Sequence, residues 1–175
     1  MENANDRFVY HGSPREFDSE QATPKRNIRQ NWNQKSNAYE VIFDQESFHA
    51  TPYKWIALAY TYKSVPFVIN EKTAHYNMGV SLYNNTNEVD ILGFVSLEES
   101  LKVLYGEGGY LYYFDKDNFF YKEGLGDLEV IAEEAVTPII VERVNDPITE
   151  MKKLGVTFKF TDLALEENEG YRNIY

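Results

Sequence analysis

The segment Tyr10-His11-Gly12-Ser13 carries groups that can hold a polar ligand. The His11 imidazole can bond from either ring nitrogen. Gly12 has no side chain to keep a ligand from its backbone N–H and C=O, and Ser13 adds a hydroxyl. The plainer reading of a His before Gly-Ser is a turn residue, so the segment needs support from elsewhere in the chain. Other chemistry is narrowed by what is missing. The sequence holds no cysteine, which removes disulfides, thiolate metal sites and thiol nucleophiles. Three histidines, His11, His49 and His75, are too few for a histidine-rich metal site. No GxGxxG, P-loop, HExxH, GxSxG or EF-hand pattern occurs, so Rossmann-type and P-loop nucleotide binding lose their sequence support.

The elements that must position these groups are many short strands and few helices. Phe8-Val9-Tyr10 is an apolar run that stops at His11-Gly12-Ser13-Pro14, where Gly and Pro break regular structure, so a strand ending on His11 is predicted. Residues 19–40 are polar, without a helical or strand period, and read as a long loop. Val41-Ile42-Phe43 and Ser47-Phe48-His49-Ala50 read as two strands. Thr51-Pro52 then reads as an N-cap with Pro at the first helical position, and Trp55, Leu58, Ala59 and Tyr62 follow at helical spacing. A hairpin is predicted over 79–83 and 88–95, turning at Asn84-Asn85-Thr86-Asn87. The glycosylation sequon Asn84-Asn85-Thr86 reads as a chance match to that turn. Ser96-Leu97-Glu98-Glu99 is a capping box that starts a helix reaching Tyr105. Strands are predicted at 110–114, 119–121, 129–132 and 139–144, then a helix over 148–154 and a last strand over 156–160. Helices segregated among so many strands make the expected fold α+β, with a split, mostly antiparallel β-sheet.

The 175 residues, 43% of them hydrophobic, suit one domain spanning 1–175 with polar N-terminal and C-terminal tails. The start, Met1 to Arg7, has no signal-peptide core, and no run approaches the ~18 apolar residues of a membrane span. The expected location is therefore cytoplasmic, with no membrane partner. A net charge of -11 argues against nucleic-acid binding by broad phosphate neutralisation. Lys25, Arg26, Arg29 and Lys35 form a local basic exception. It is read first as a solvated loop and second as a patch for a pyrophosphate or an acidic partner.

A strand ending in His-Gly-Ser, followed some tens of residues later by an aromatic residue, an Ala and a short helix ending in Tyr, resembles the ADP-ribosyltransferase superfamily. The likeness is to the branch of diphtheria toxin and the poly(ADP-ribose) polymerases, which is marked by a His-Tyr-Glu triad on a split antiparallel sheet. The resemblance implies His11 at the His and Phe48, or a nearby aromatic, at the Tyr that precedes Ala50. It further implies Tyr60 as the aromatic that stacks on nicotinamide. Glu129, at the head of Glu129-Val130-Ile131-Ala132, would be the catalytic Glu. NAD+ would be the substrate, bound through His11, Gly12, Ser13, Phe48, Ala50 and Tyr60. Cleavage of its nicotinamide–ribose bond would pass ADP-ribose to an acceptor. In the resemblance Glu129 bonds the nicotinamide-ribose 2'-hydroxyl, His11 bonds the adenosine ribose, and the Gly12 backbone meets the nicotinamide amide. The chemistry of these residue types agrees. NAD+ is a glycoside with a cationic leaving group, so the transition state is oxocarbenium-like and one carboxylate near the ribose suffices. Glu134, followed by a similar Ala-Val, competes with Glu129 as the catalytic carboxylate. Glu129 is preferred because it heads an apolar strand, whereas Glu134 falls in a turn.

The chain departs from the family's pattern in places. Phe48 stands where Tyr is usual, which removes a hydroxyl and keeps a stacking face. Asp127-Leu128-Glu129 is similar to the Glu-x-Glu or Gln-x-Glu of toxins that modify Arg or Asn, with a shorter first side chain. Val80-Ser81-Leu82 matches a Ser-Thr-Ser strand poorly, so the Arg-Ser-Glu branch fits less well. Two other functions share the fold. One is a non-catalytic module for NAD+, ADP-ribose or a protein partner. The other is an RNA 2'-phosphotransferase, which the acidic balance disfavours. The acceptor stays open between a protein side chain, a base, a small molecule and water. The plainer reading of Phe48 and Tyr60 is core packing, and of Glu129 the start of an edge strand. The site reading requires His11 and Glu129 to lie on adjacent central strands and to face one cleft.

Overall fold

The computed structural model describes residues 7–69, 71–83 and 86–163. The far ends of both predicted tails and the sequon asparagines Asn84 and Asn85 lie outside them. Strand β1 (Phe8–Ser13) buries Val9 on one face and Tyr10 on the other, as a strand flanked by two cores must. Tyr10 joins a core built on helix α1 (Lys54–Ala59), and Val9 joins a second core with Phe114 and Val130. β1 does not end on His11. It pairs antiparallel with β7 (Gly109–Asp115) from Phe8↔Asp115 to Ser13↔Tyr110, and this ladder holds Gly12 extended against its weak strand preference. β7 pairs in turn with β9 (Ile140–Val144), giving the sheet β1-β7-β9.

A second sheet has the order β2-β3-β8, from β2 (Lys25–Asn33), β3 (Ala38–Ala50) and β8 (Val130–Ala132). A third has the order β10-β6-β5-β4, from β4 (Val65–Ile69), β5 (Lys72–Tyr83), β6 (Thr86–Gly93) and β10 (Thr157–Asp162). Within these sheets β6 and β10 run parallel and the other ladders are antiparallel. With α1, α2 (Leu97–Tyr105) and α3 (Pro147–Lys153), the fold is α+β and mostly antiparallel. The first two sheets meet where Tyr10 and Thr51 exchange backbone hydrogen bonds, each of 2.8 Å. Among the described residues, no helix is long and apolar enough to cross a membrane.

Several local expectations are corrected. The loop over 19–40 is in large part the β2–β3 hairpin, which carries a register shift between Arg29 and Gln30. Its outer residues are exposed on both faces, so no buried face imposes the period-two pattern by which strands are read. The two strands over 41–43 and 47–50 are one strand, β3. Phe119-Phe120-Tyr121 is not a strand; Phe120 makes an isolated bridge to Ile131, and Phe119 packs into the second core. Helix α1 starts two residues later than Pro52. Thr51 is held extended by Tyr10, and its hydroxyl accepts the Tyr53 N–H at 3.2 Å instead of capping a helix at Pro52. Capping elsewhere follows the sequence. Ser96 Oγ accepts the Glu99 N–H at 3.2 Å, and Asp146 Oδ1 accepts the Thr149 N–H at 3.0 Å ahead of Pro147.

Candidate functional site

The junction of β1, β3 and α1 encloses a cavity of about 250 Å³ whose wall includes His11, Gly12, His49, Ala50, Tyr60 and Glu129. The two strands diverge here. In an antiparallel ladder the N–H and C=O of successive residues point to opposite edges. Those of Tyr10 point to Thr51, so those of Gly12 point the same way, and because the bridge is antiparallel they face the His49 end of β3. Among the described residues the ladder does not continue beyond that bridge, because the His49 carbonyl is bonded by the His11 ring instead, and Gly12 lines the cavity. A Cβ on Gly12 would lie 1.7 Å from the Ala57 carbonyl oxygen. The seat of α1 therefore demands glycine whatever the cavity holds.

His11 donates its Nδ1–H to the His49 carbonyl at 2.8 Å. A carbonyl can only accept, so Nε2 is the acceptor nitrogen of the neutral ring. Burial pulls the His11 pKa below its ordinary value; the bond to the His49 carbonyl opposes this, and the proximity of His49 adds to the lowering. The ring lies 4.8 Å from that of Phe48 and 5.5 Å from that of Phe17.

Glu129 sits immediately before β8, which is held on the inner end of β3 by Ala50↔Val130 and Phe48↔Ala132. Its Oε1 accepts two bonds, from His49 Nδ1 at 2.5 Å and from Arg29 Nη2 at 3.0 Å. Its Oε2 has no partner among the described residues. Arg29 reaches in from β2, with its Nε 3.3 Å from Asn27 Oδ1. Tyr60 caps the C-terminus of α1. Its phenol is pushed up, first by desolvation and then by the charge of Glu129, with Arg29 opposing.

Of the residues singled out from sequence, His11, Gly12, Ala50, Tyr60 and Glu129 line this cavity, and Phe48, Ser13 and Glu134 do not. Phe48 points to the other face of β3, among Phe17, Phe114 and Phe119. Ser13 turns back on its own loop, donating to the Arg15 carbonyl at 2.6 Å. Glu134 is exposed and borders a separate depression with Glu133 and Thr137. His11 and Glu129 both line this cavity, with the His11 ring packed against Phe48, Phe17 and Tyr112, and they are not on adjacent strands. β3 intervenes, because β1 meets the chain at Thr51 and β8 pairs with β3. The basic cluster is also dispersed. Arg26 pairs with Asp44 through two bonds of 2.9 Å, while its register neighbours place Arg29 on the opposite face of the hairpin.

His49 and Arg29 are the contributors that the sequence reading did not single out as site residues. A signal for His49 was present: Ser47 and His49 are two apart in a strand and so share a face. Comparison with known protein families, curated proteins and solved structures finds no match for this chain. The site itself offers an open carboxylate oxygen on Glu129 and the aromatic face of Tyr60, with Gly12 and His11 in its wall. Together these suit a ligand that donates hydrogen bonds and carries a flat ring.

Proposed function

We propose that this cavity takes the nicotinamide-ribose end of NAD+. The protein would act as an ADP-ribosyltransferase-like enzyme of the His-Tyr-Glu type, cleaving the nicotinamide–ribose bond and passing ADP-ribose to an acceptor. The observation that supports this reading is convergence: His11, Gly12, Tyr60 and Glu129, drawn from both ends of the chain, line one cavity. In this reading the Gly12 backbone meets the nicotinamide amide, Tyr60 stacks on its ring and His11 Nε2 accepts a hydrogen bond from the adenosine ribose. Glu129 Oε2 accepts the 2'-hydroxyl of the nicotinamide ribose. The glycosidic electron pair leaves with neutral nicotinamide, and the positive charge left on the ribose is stabilised by the carboxylate. The acceptor's nucleophile then bonds to the ribose carbon and loses its proton.

Incubation with NAD+ tests the proposal, with nicotinamide release as the expected result. Glu129→Gln should lower the release rate by about 10²-fold or more while leaving NAD+ affinity nearly intact, the scale for losing a contact that strengthens in the transition state. His11→Ala should act mainly on KM, and Glu134→Gln on neither parameter. Release abolished by Glu134→Gln but not by Glu129→Gln would overturn the assignment. A second reading, a non-catalytic NAD+ or ADP-ribose module, is favoured by one observation: Phe48 packs in the core, leaving Tyr60 as the aromatic of that pair on the cavity wall. Binding without release would select it.

A further inference from the structure

We propose that His49, backed by Ser47, is a positioning residue for Glu129: it pins the carboxylate by Oε1, so that Oε2 is the oxygen presented to the cavity. Its kinetic consequence rests on the NAD+ reading; the contact itself does not. Three groups stand in line. Ser47 Oγ lies 2.8 Å from His49 Nε2, and His49 Nδ1 lies 2.5 Å from Glu129 Oε1. The order hydroxyl, imidazole, carboxylate is that of a nucleophilic triad, but Ser47 is 3% exposed and does not line the cavity, so its hydroxyl cannot meet a ligand there. What remains for it is to hold the ring. With both nitrogens engaged and Phe43 edge-on at 5.7 Å, the imidazole of His49 has one orientation available.

The residue also ties the site together. The His49 backbone carbonyl takes the Nδ1–H of His11, while the His49 side chain holds Glu129. One residue of β3 thus fixes both groups that the site reading needs, although His11 lies on β1 and Glu129 just before β8, two strands that are not paired. Without such a tether Glu129 would be poorly placed. It follows a loop with positive φ at Gly124 and Gly126, and a glutamate side chain has several rotatable bonds to order. Arg29 reaches the same oxygen, but its side chain is 47% exposed, against 15% for His49, so solvent weakens its hold more.

The test uses the full chain, NAD+ as probe, and two substitutions. His49→Phe keeps a flat ring and removes the donor. It should lower kcat by about 10-fold or more with KM within about 2-fold, since misplacing a catalytic group by about 1 Å costs up to about 10²-fold. His49→Asn, whose amide N–H can reach the place of Nδ1–H, should restore most of the loss. Equal loss in both variants at unchanged thermal stability overturns the proposal. Should His49→Phe fail to fold, Ser47→Ala replaces it, with a smaller drop expected in kcat alone. A readout without turnover separates the two ideas. Nitrogen chemical shifts of the His49 ring should report Nδ1 protonated in the wild type and change in Glu129→Ala. If they do so while no nicotinamide is released, the NAD+ reading fails and the pinning stands. If the ring is indifferent to Glu129, the pinning fails even in an active enzyme.

Discussion

From Phe43 to Ala50, β3 is walled in: Phe43, Ser47 and Ala50 are buried, β8 pairs with its last residues, and the bridge of Thr51 to Tyr10 locks its end. From Ala38 to Ile42 the same strand has only β2 beside it, and every residue is exposed. The outer half is held by pairs internal to the hairpin, such as Asn33 Nδ2 on Glu40 Oε1 at 2.8 Å and the Trp32–Tyr39 ring contact. A single strand therefore serves two ends. Its buried half fixes His49 and, through it, His11 and Glu129, and pairs at Phe43 with Arg29 of β2; its exposed half only extends the ribbon outward. The precision of the site comes from the walled half.

The sharpest way to break the contrast is to disturb the wall. Gly12→Ala sets a methyl against the Ala57 carbonyl, and the contact is backbone on backbone, so β1 and α1 must part. A loss of about 4 kcal/mol is expected, at the extreme of single substitutions. Denaturant unfolding measures it, and a loss under about 1 kcal/mol would mean that α1 is not seated as described. Phe43→Ala comes next. Phe43 is 5% exposed, and removing its ring from the inner half of β3 should cost about 3 kcal/mol. An equal effect from Val41→Ala, two residues outward and 55% exposed, would erase the distinction between the halves.

His11 sharpens the comparison through pH. Burial holds its folded pKa below 6.5, the ordinary value. Between that lowered pKa and 6.5 the unfolded chain binds more protons than the folded one, so stability falls as the pH drops below about 6.5 and levels off under the folded pKa. The slope from this one group is at most about 1.4 kcal/mol per pH unit. Unfolding of the wild type and of His11→Gln, compared from pH 7.5 down to 5, should converge as the pH falls. Parallel curves would show that His11 is solvated and the wall is open.

Where a core exists, the chain announced its elements. Apolar and aromatic residues run unbroken from Tyr110 to Phe114 in β7 and recur at helical spacing in α1, and the caps Ser96 and Asp146 act as their types suggest. The hairpin was illegible because period two arises from burial on one face, and Lys25 to Ile42 has little of that. For the cavity, the residues that touch it through local chain geometry were readable: His11 and Gly12 from a Gly-Ser break, and Glu129 from its apolar strand. Phe48 was misplaced because facing direction depends on register, and a one-residue shift turns a side chain to the other face. His49 sits one position along and faces the cavity instead. The bond of Arg29 to Glu129 was hidden for a further reason: the two are 100 residues apart, a distance at which sequence spacing carries no geometry.

The mildest change tests the outer half alone. Trp32 and Tyr39 are directly opposed in the hairpin, 48% and 52% exposed, with ring centroids 5.1 Å apart at 70°. Such a cross-strand pair contributes roughly 0.2–1 kcal/mol to the strands it joins. If the outer ribbon opens without the body, that contribution never enters global unfolding. Trp32→Ala should then lower global stability by less than about 0.5 kcal/mol, the range of exposed substitutions. Hydrogen exchange should show the cost instead, with the amides of 30–41 exchanging several-fold faster and those of β1 and β7 unchanged. Because Arg29 lies on the body side of the bulge, its bond to Glu129 should persist, and nicotinamide release should stay near the wild-type rate. A global loss above about 1.5 kcal/mol would make the hairpin one cooperative unit with the walled half. The two ends of β3 would then differ in exposure but not in stability.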